Sequence, residues 1–233
     1  MFRAAAASVI GPSHRNHGVP NQDACVLRGH KGGWLLAVAD GLGSKPFSDL
    51  GSAIAARTAI DVLARECSAE DPRGQIEAIY NLWLKRLPVP RPVLAATTLL
   101  FVACDAEGYG WLAQLGDGLA VIREDGVTKT ITNEKAGFGN ETDALGVTKS
   151  FRAWSHRRVA FTQQGDGVVL MTDGVADDLK PEMLGEFYDA LRLAGMSRSK
   201  RRFRGWIERE LAAWTTHLHS DDKTLGMIFR DAI

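Results

Sequence analysis

The sequence predicts an α+β fold built on antiparallel sheets. Strand-like segments occur in runs, among them GWLLAVAD, ATTLLFVACD and GYGWLAQLGDG, and helical patterns separate these runs at about residues 48–67, 73–87, 181–193 and 199–218. Runs of strands set apart from helices are typical of α+β proteins. A hairpin is predicted at Asp125-Gly126, because the segment that follows, VTKTIT, alternates apolar and polar residues. No internal repeat or long linker interrupts the chain, so residues 1–233 are predicted to form one domain.

The composition argues against several classes of partner. The 28 lysine and arginine residues balance the 28 aspartate and glutamate residues, so no net basic charge attracts nucleic acid or an anionic membrane. No apolar stretch approaches the roughly 20 residues that cross a bilayer, and the Ala-rich N-terminus is too short for a signal peptide. Cys25, Cys67 and Cys104 lie far apart without C-x-x-C spacing, which indicates reduced thiols. We therefore expect a cytoplasmic protein with no nucleic-acid or membrane partner.

Asp40 and Asp173 end apolar strands without closing hairpins. Each precedes a glycine, as in a hairpin turn, but the segments beyond, GLGSKPFSD and GVADDLKPE, are loops that lead into helices. Further acids lie beside apolar strands at Asp23, Asp117, Asp221 and Asp222. A carboxylate next to the core is costly unless it is paired or bound to a cation. If the strand ends meet, these acids form a cluster.

Clustered carboxylates with no nearby His or Cys suit a hard cation such as Mg²⁺ or Mn²⁺. The glycine after Asp40 would let a backbone carbonyl approach such an ion. Two ions would activate water and clamp the oxygens of a phosphate, so the chemistry indicated is phosphate-ester hydrolysis. The plainer alternative is that the acids are solvated loop residues.

The order of the motifs resembles the metal-dependent protein phosphatases, the type 2C Ser/Thr family, in a divergent bacterial branch. The matching segments are, in order, NQDA, VADGLG, ATTLL, LGDG, DALG, VVLMTDGVADDL and SDDKTL, and they cover nearly the whole chain. The resemblance implies a central sandwich of two antiparallel sheets, helices on both outer faces, and a two-metal centre at one end. It also implies hydrolysis of phosphoserine and phosphothreonine in a protein partner, a Ser/Thr kinase or its target.

The resemblance assigns roles to individual residues. Asp40 would bridge two Mn²⁺ or Mg²⁺ ions, and the carbonyl of Gly41 would bind one of them. Asp173 and Asp221 would hold the other ion, and Asp117 would help to hold a weaker third ion.

The resemblance also bears on Asp23 and on the choice between Asp221 and Asp222. Asp23 would orient metal-bound water, and it therefore belongs to both the metal site and the catalytic machinery. The family's usual Asp-Asn-x-Thr is replaced here by Asp221-Asp222-Lys223-Thr224. Asp221 is the preferred ligand by this alignment, and Asp222 remains a second candidate ligand.

Two departures from the family pattern put catalysis in question. Leu42 stands where the family commonly has a histidine thought to protonate the leaving group, and Gly18 stands where it has a phosphate-binding arginine. His14 and Arg15 are the nearest candidates for binding phosphate, although His14 could instead bond its own backbone. The alternative to an active phosphatase is therefore a catalytically weak or inactive regulator that binds phosphoproteins.

Overall fold

Strands and helices can be followed through residues 1–65, 71–131, 142–214 and 220–231, which the computed structural model describes. The strands are β1 (Phe2–Val9), β2 (Asp23–His30), β3 (Gly33–Asp40), β4 (Leu99–Cys104), β5 (Tyr109–Leu115), β6 (Leu119–Glu124), β7 (Val127–Ile131), β8 (Ser155–Ala160), β9 (Gly167–Met171) and β10 (Lys223–Arg230). The α-helices are α1 (Pro12–His17), α2 (Ser48–Leu63), α3 (Pro72–Arg86), α4 (Asp173–Ala176), α5 (Leu184–Met196) and α6 (Lys200–Ala213). Short 3₁₀ turns occur at Pro92–Ala95, Phe151–Ala153 and Pro181–Met183.

The strands form two antiparallel sheets that pack face to face. One sheet has the strand order β1-β10-β9-β6-β7, and the other has the order β2-β3-β4-β5-β8. Helices α2 and α3 cover the outer face of the second sheet, and α5 and α6 cover the outer face of the first. This arrangement confirms the predicted α+β class and the helix-flanked sandwich that the family resemblance implies.

Strand β4 explains why some strands appear in the sequence as unbroken apolar runs. All of its residues are buried. Leu100 and Val102 face the core between the sheets, whereas Leu99 and Phe101 face α2 and α3. Since both faces of the strand are covered, no position along it favours a polar side chain.

The hairpin predicted at Asp125-Gly126 is confirmed. Strands β6 and β7 pair antiparallel, with Glu124 opposite Val127. Asp125 and Gly126 have φ angles of 51° and 75°. A two-residue type I′ turn requires such left-handed values at both positions.

The predicted helices correspond to α2, α3, α5 and α6 with shifted ends. The segment that begins at Pro181 is a 3₁₀ turn, and α5 starts only at Leu184. The predicted helix ends near residues 67 and 218 lie outside the described residues. The sequence patterns did not predict α1, although Pro12 at its first position and Gly18 just beyond its end are helix-boundary signals.

Two of the three cysteines lie within the described residues. Cys25 and Cys104 form no disulfide bond with each other, and Cys67 lies outside the described residues. Within the described ranges, no helix combines the length and apolar character that crossing a bilayer requires.

Candidate metal centre

A pocket of about 200 Å³ opens at one end of the sandwich, where several predicted acids converge. It lies between the end of β3, the β5–β6 turn, the start of α4 and the segment before β10. The described residues that line it are His14, Gln22, Asp40, Gly41, Leu42, Gly43, Thr98, Asp117, Thr142, Asp173 and Asp221. Neither lysine nor arginine occurs among these lining residues. The pocket is therefore strongly acidic.

Strand pairing places Asp40 beside Asp23. The two residues lie directly opposite each other in the β2–β3 pair, an arrangement in which like charges are destabilising. The backbone of Asp40 is held by the segment before β4. Its N–H donates to Oγ1 of Thr98 at 3.1 Å, and its carbonyl accepts from Oγ1 of Thr97 at 2.8 Å. These contacts fix the position at which the Asp40 carboxyl group enters the pocket.

The carboxyl groups of Asp40 and Asp173 lie close enough for each to change the pKa of the other. Burial raises the pKa of Asp40 well above its ordinary value, and the charges of Asp23 and Asp173 raise it further. Burial also raises the pKa of Asp173, although the neighbouring carboxyl group of Asp40 lowers it. Without a cation, the pocket therefore retains protons that ordinary aspartates release.

Asp23 lies behind Asp40 and does not line the pocket. Its side chain is buried, and Oδ2 accepts a hydrogen bond from Oγ1 of Thr172 at 2.9 Å. Burial raises the pKa of Asp23 to about 8, although the hydroxyl groups of Thr224 and Thr172 act in the opposite direction. Asp23 is thus held by its neighbours in an orientation beside the acidic pocket.

Gly174 allows α4 to pack closely against the segment that enters β10. A Cβ atom at position 174 would lie 2.0 Å from the carbonyl oxygen of Asp222. The glycine of the Asp173-Gly174 pair therefore serves this close approach and does not form a hairpin turn. Its neighbour Asp173 is the first residue of α4.

We expect Gly174→Ala to reduce the free energy of unfolding by about 3 kcal/mol, because the clash is with backbone that has no rotamer to change. Urea denaturation of both proteins measures the difference. Gly205→Ala is the matched control, because a Cβ there meets nothing closer than 3.7 Å. That helical substitution should raise stability by up to about 1 kcal/mol. A loss of less than about 1 kcal/mol at Gly174 would contradict the packing explanation.

Asp221 and Asp222 have different surroundings. Asp221 is exposed and lines the pocket. Asp222 is 2% exposed, and its carboxylate accepts hydrogen bonds from the backbone N–H groups of Gly11 at 2.7 Å and Gln22 at 2.6 Å. It also bonds Nδ1 of His14 at 2.8 Å. Asp222 thus connects the N-terminal segment to the site, and Asp221 presents its carboxylate to the pocket.

Asp117 lies on the turn between β5 and β6. The residue is exposed, and its Oδ2 accepts a hydrogen bond from Oγ1 of Thr142 at 2.8 Å. Both side chains line the pocket.

The two basic candidates from the N-terminal segment occupy different positions. His14 lines the pocket. Arg15 is exposed on α1 and does not line the pocket, and its guanidinium donates to the carbonyl of Ile10 at 3.4 Å. Leu42 lines the pocket at the position where the family commonly has a histidine. Of the two candidates, the structure brings only His14 to the acidic residues.

The donor set fits hard divalent cations. Carboxylate oxygens of Asp40, Asp117, Asp173 and Asp221 surround the pocket together with the backbone of Gly41, and oxygen ligands are those that Mg²⁺ and Mn²⁺ prefer. The raised pKa values of Asp40 and Asp173 indicate a shortage of positive charge in the pocket. A divalent cation would supply that charge.

Comparison with known proteins agrees with this donor set. The sequence profile described as Protein phosphatase 2C matches residues 10–214. The chain belongs to the protein phosphatase 2C family. A search of curated protein sequences gave no significant match.

Solved structures share the protein phosphatase 2C fold along almost the whole chain. PppA, described as a key regulatory component of T6SS in Pseudomonas aeruginosa, has a TM-score of 0.66 at 19% identity, covering 98% of this chain and 97% of that chain. The catalytic domain of the serine/threonine phosphatase PstP, known from Mycobacterium tuberculosis and solved in complex with 2 manganese ions, has a TM-score of 0.62 at 19% identity, covering 99% of each chain. RsbX in complex with magnesium has a TM-score of 0.64 at 13% identity, covering 97% of this chain and 94% of that chain. At these identities the likeness establishes the shared fold.

Two features of this protein phosphatase 2C site were missed by the sequence reasoning. Thr142 was not predicted to meet Asp117, because nothing local marks their contact. The contact between Asp222 and His14 was also missed. A signal existed for it, since an acid stands where the family has asparagine and a histidine stands in the divergent GPSH segment.

Proposed function

We propose that this chain is a Mg²⁺- or Mn²⁺-dependent phosphatase that hydrolyses phosphoserine and phosphothreonine in a protein partner. The observation that carries the proposal is the convergence of Asp40, Asp117, Asp173 and Asp221 on one pocket whose described lining contains no lysine or arginine. Four carboxyl groups in such a pocket repel one another unless cations offset their charge. Membership of the protein phosphatase 2C family supports hydrolysis as the reaction.

The proposed ligand set comes from the family resemblance, and the lining of the pocket supports it. Asp40 would serve two ions in common, which suits a carboxyl group that lies close to that of Asp173. The carbonyl of Gly41 would bind one ion, Asp173 and Asp221 the other, and Asp117 a weaker third. When bound, the ions would activate water for attack on phosphorus and neutralise the phosphate oxygens. Structures of PstP with manganese and RsbX with magnesium support the choice of metals.

Residues outside the ligand set have their own proposed tasks. Asp222 is left out of the set because its oxygens already accept hydrogen bonds from Gly11, Gln22 and His14. Asp23 would order water at the site, since it is buried beside Asp40. Phosphate recognition falls to His14, the basic residue in the described lining of the pocket.

A phosphorylated regulatory protein is the proposed partner, either a Ser/Thr kinase or its target. The pocket opens at the surface and has room for a phosphorylated side chain. The description of PppA as a regulatory component of a larger system supports a regulatory partner.

A non-catalytic regulator is the second candidate function, and Leu42 is the observation that favours it. An isobutyl side chain lines the pocket where the family commonly has a histidine, so the usual proton donor is absent at that position. Such a protein would bind metal and phosphoprotein without turnover.

We expect purified protein to hydrolyse a phosphothreonine peptide in Mn²⁺ or Mg²⁺, with the rate falling at least about 100-fold in chelator, because several kcal/mol of catalysis depends on the ions. Phosphate release measures the rate. Asp177→Asn is the control, since this exposed aspartate lies outside the pocket lining and should retain full activity. Metal binding by calorimetry with no turnover of any phosphate ester would favour the non-catalytic regulator.

A further inference from the structure

His14 and Asp222 form a hydrogen-bonded pair at the edge of the acidic pocket. Nδ1 of His14 lies 2.8 Å from Oδ2 of Asp222, and the side chains are 18% and 2% exposed. The histidine lines the pocket, and the aspartate lies behind it in the protein interior. A buried carboxylate behind a partly exposed imidazole is an arrangement that orients a histidine for proton transfer.

The other contacts of Asp222 determine the proton position on the ring. Oδ1 accepts the N–H of Gly11, and Oδ2 accepts the N–H of Gln22 in addition to its contact with His14. Because both oxygens already act as acceptors for backbone donors, Nδ1 must carry the proton in the contact with Asp222. Nε2 is then the ring nitrogen that the contact with Asp222 leaves free.

The same contacts argue against a metal ion held by this pair. The ligand atoms of His14, Asp221 and Asp222 lie within 4.8 Å of one another, which is close enough for a shared ion. However, Nδ1 of His14 and the oxygens of Asp222 are occupied by each other and by backbone donors. Asp222 is therefore unavailable to a cation, and Asp221 is the carboxylate of this group that is available.

The proposed substrate needs a proton donor that the pocket lacks at position 42. Seryl and threonyl oxygens are poor leaving groups because an alkoxide is strongly basic, and a positioned acid that protonates such an oxygen contributes typically 10²- to 10⁴-fold. Leu42 cannot do this. Among the described residues that line the pocket, His14 is the one with an imidazole.

We infer that His14, oriented by Asp222, protonates the leaving oxygen of the phosphorylated serine or threonine; this inference rests on the proposed function. A water oxygen bonds to phosphorus as the bond from phosphorus to the side-chain oxygen breaks. The electron pair of the broken bond stays on that oxygen, which takes the proton from Nε2 and leaves as an alcohol. The water releases one proton to solvent, and solvent returns a proton to Nε2 before the next turnover.

A comparison of leaving groups tests this role. A phosphothreonine peptide needs its leaving oxygen protonated, whereas 4-nitrophenyl phosphate releases a stable phenolate that does not. We expect His14→Gln to lower kcat on the peptide at least about 100-fold and kcat on 4-nitrophenyl phosphate less than about 5-fold. Its proposed part in phosphate recognition should appear separately, as a rise in KM that is similar for the two substrates. His14→Asn, which keeps an N–H for Asp222 and presents no group to the pocket, should give the same selective loss. His17→Gln is the matched control, because that exposed histidine of α1 contacts the carbonyl of Ser13 and does not line the pocket.

The outcomes separate this inference from the function on which it rests. Equal losses on the two substrates, or no loss on the peptide, would overturn the role of His14 and leave the phosphatase intact. Absence of metal-dependent turnover of both substrates by the wild-type protein would overturn the proposed function and this inference with it.

A second measurement needs no metal and no turnover. Nitrogen-15 NMR of the metal-free protein, at a pH where the ring is neutral, reports which nitrogen of His14 carries the proton. We expect the Nδ1-protonated tautomer, and Asp222→Asn should reduce its population. A ring of His14 protonated on Nε2 in the wild-type protein would overturn the assignment.

Discussion

Asp40→Asn should nearly abolish metal-dependent turnover and at the same time stabilise the metal-free protein. Turnover falls because the amide removes the carboxylate that is proposed to bridge the two ions; we expect a loss of about 10³-fold, equivalent to roughly 4 kcal/mol. Stability rises because the amide is neutral. Asp40 is partly buried, lies opposite Asp23 and is close to Asp173, so its ionisation in the fold is costly. The expected gain in the free energy of unfolding is on the order of 1 kcal/mol at neutral pH.

A loss of turnover combined with a gain in stability is specific to a residue that binds metal. Phosphate release measures turnover, calorimetry measures Mn²⁺ binding, and urea denaturation in chelator measures stability. Asp177→Asn is again the control, since it removes a carboxyl group near the site that does not line the pocket. A variant of Asp40 that loses both activity and stability would indicate a structural aspartate and contradict the proposed ligand role.

Local patterns in the sequence could predict antiparallel sheets and the acidic residues at their strand ends, whereas the sandwich was implied by the family resemblance. Each strand carries its own apolar signature, as β4 does, and the Asp125-Gly126 turn fixes the register of β6 and β7 through its backbone conformation. Asp40 and Asp173 were recognisable because each ends such a strand and precedes a loop. Strands of an antiparallel sheet end at both of its edges, so the acids were expected to cluster only if their own strand ends met.

The contacts that arrange the site could not be predicted in the same way. Asp222 bonds the backbone of Gly11 and Gln22 across sequence separations of 211 and 200 residues. Such contacts depend on how the first and last strands pair in the folded chain, since β1 lies beside β10. Likewise, no local pattern reveals that position 23 lies directly opposite position 40. The different surroundings of Asp221 and Asp222 therefore became clear only from the burial of each side chain.

The metal-free protein should lose stability as the pH rises from about 4 to about 8. Burial raises the pKa of Asp23 from 3.8 to about 8, and it also raises the pKa values of Asp40 and Asp173. Between those limits the folded protein retains protons that the unfolded chain has released. A group with a raised folded-state pKa contributes stability below its unfolded-state pKa, and this contribution disappears as the pH passes through the folded-state value.

The slope of the free energy of unfolding against pH identifies the carboxyl groups that cause this loss of stability. Each proton retained on folding lowers the free energy of unfolding by about 1.4 kcal/mol per pH unit, and urea denaturation in chelator at several pH values measures the sum. Asp23→Asn should flatten the profile, because the amide does not titrate, whereas Asp177→Asn should leave it unchanged. A free energy of unfolding that rises over this pH range in the wild-type protein would mean that the acids are stabilised by partners other than a cation.

Saturating Mn²⁺ should reverse the loss of stability at neutral pH, since a cation favours the ionised carboxylates and binds the folded state. The repulsion among the carboxylates that destabilises the metal-free protein is thus the same interaction that makes metal binding tighter as the pH rises.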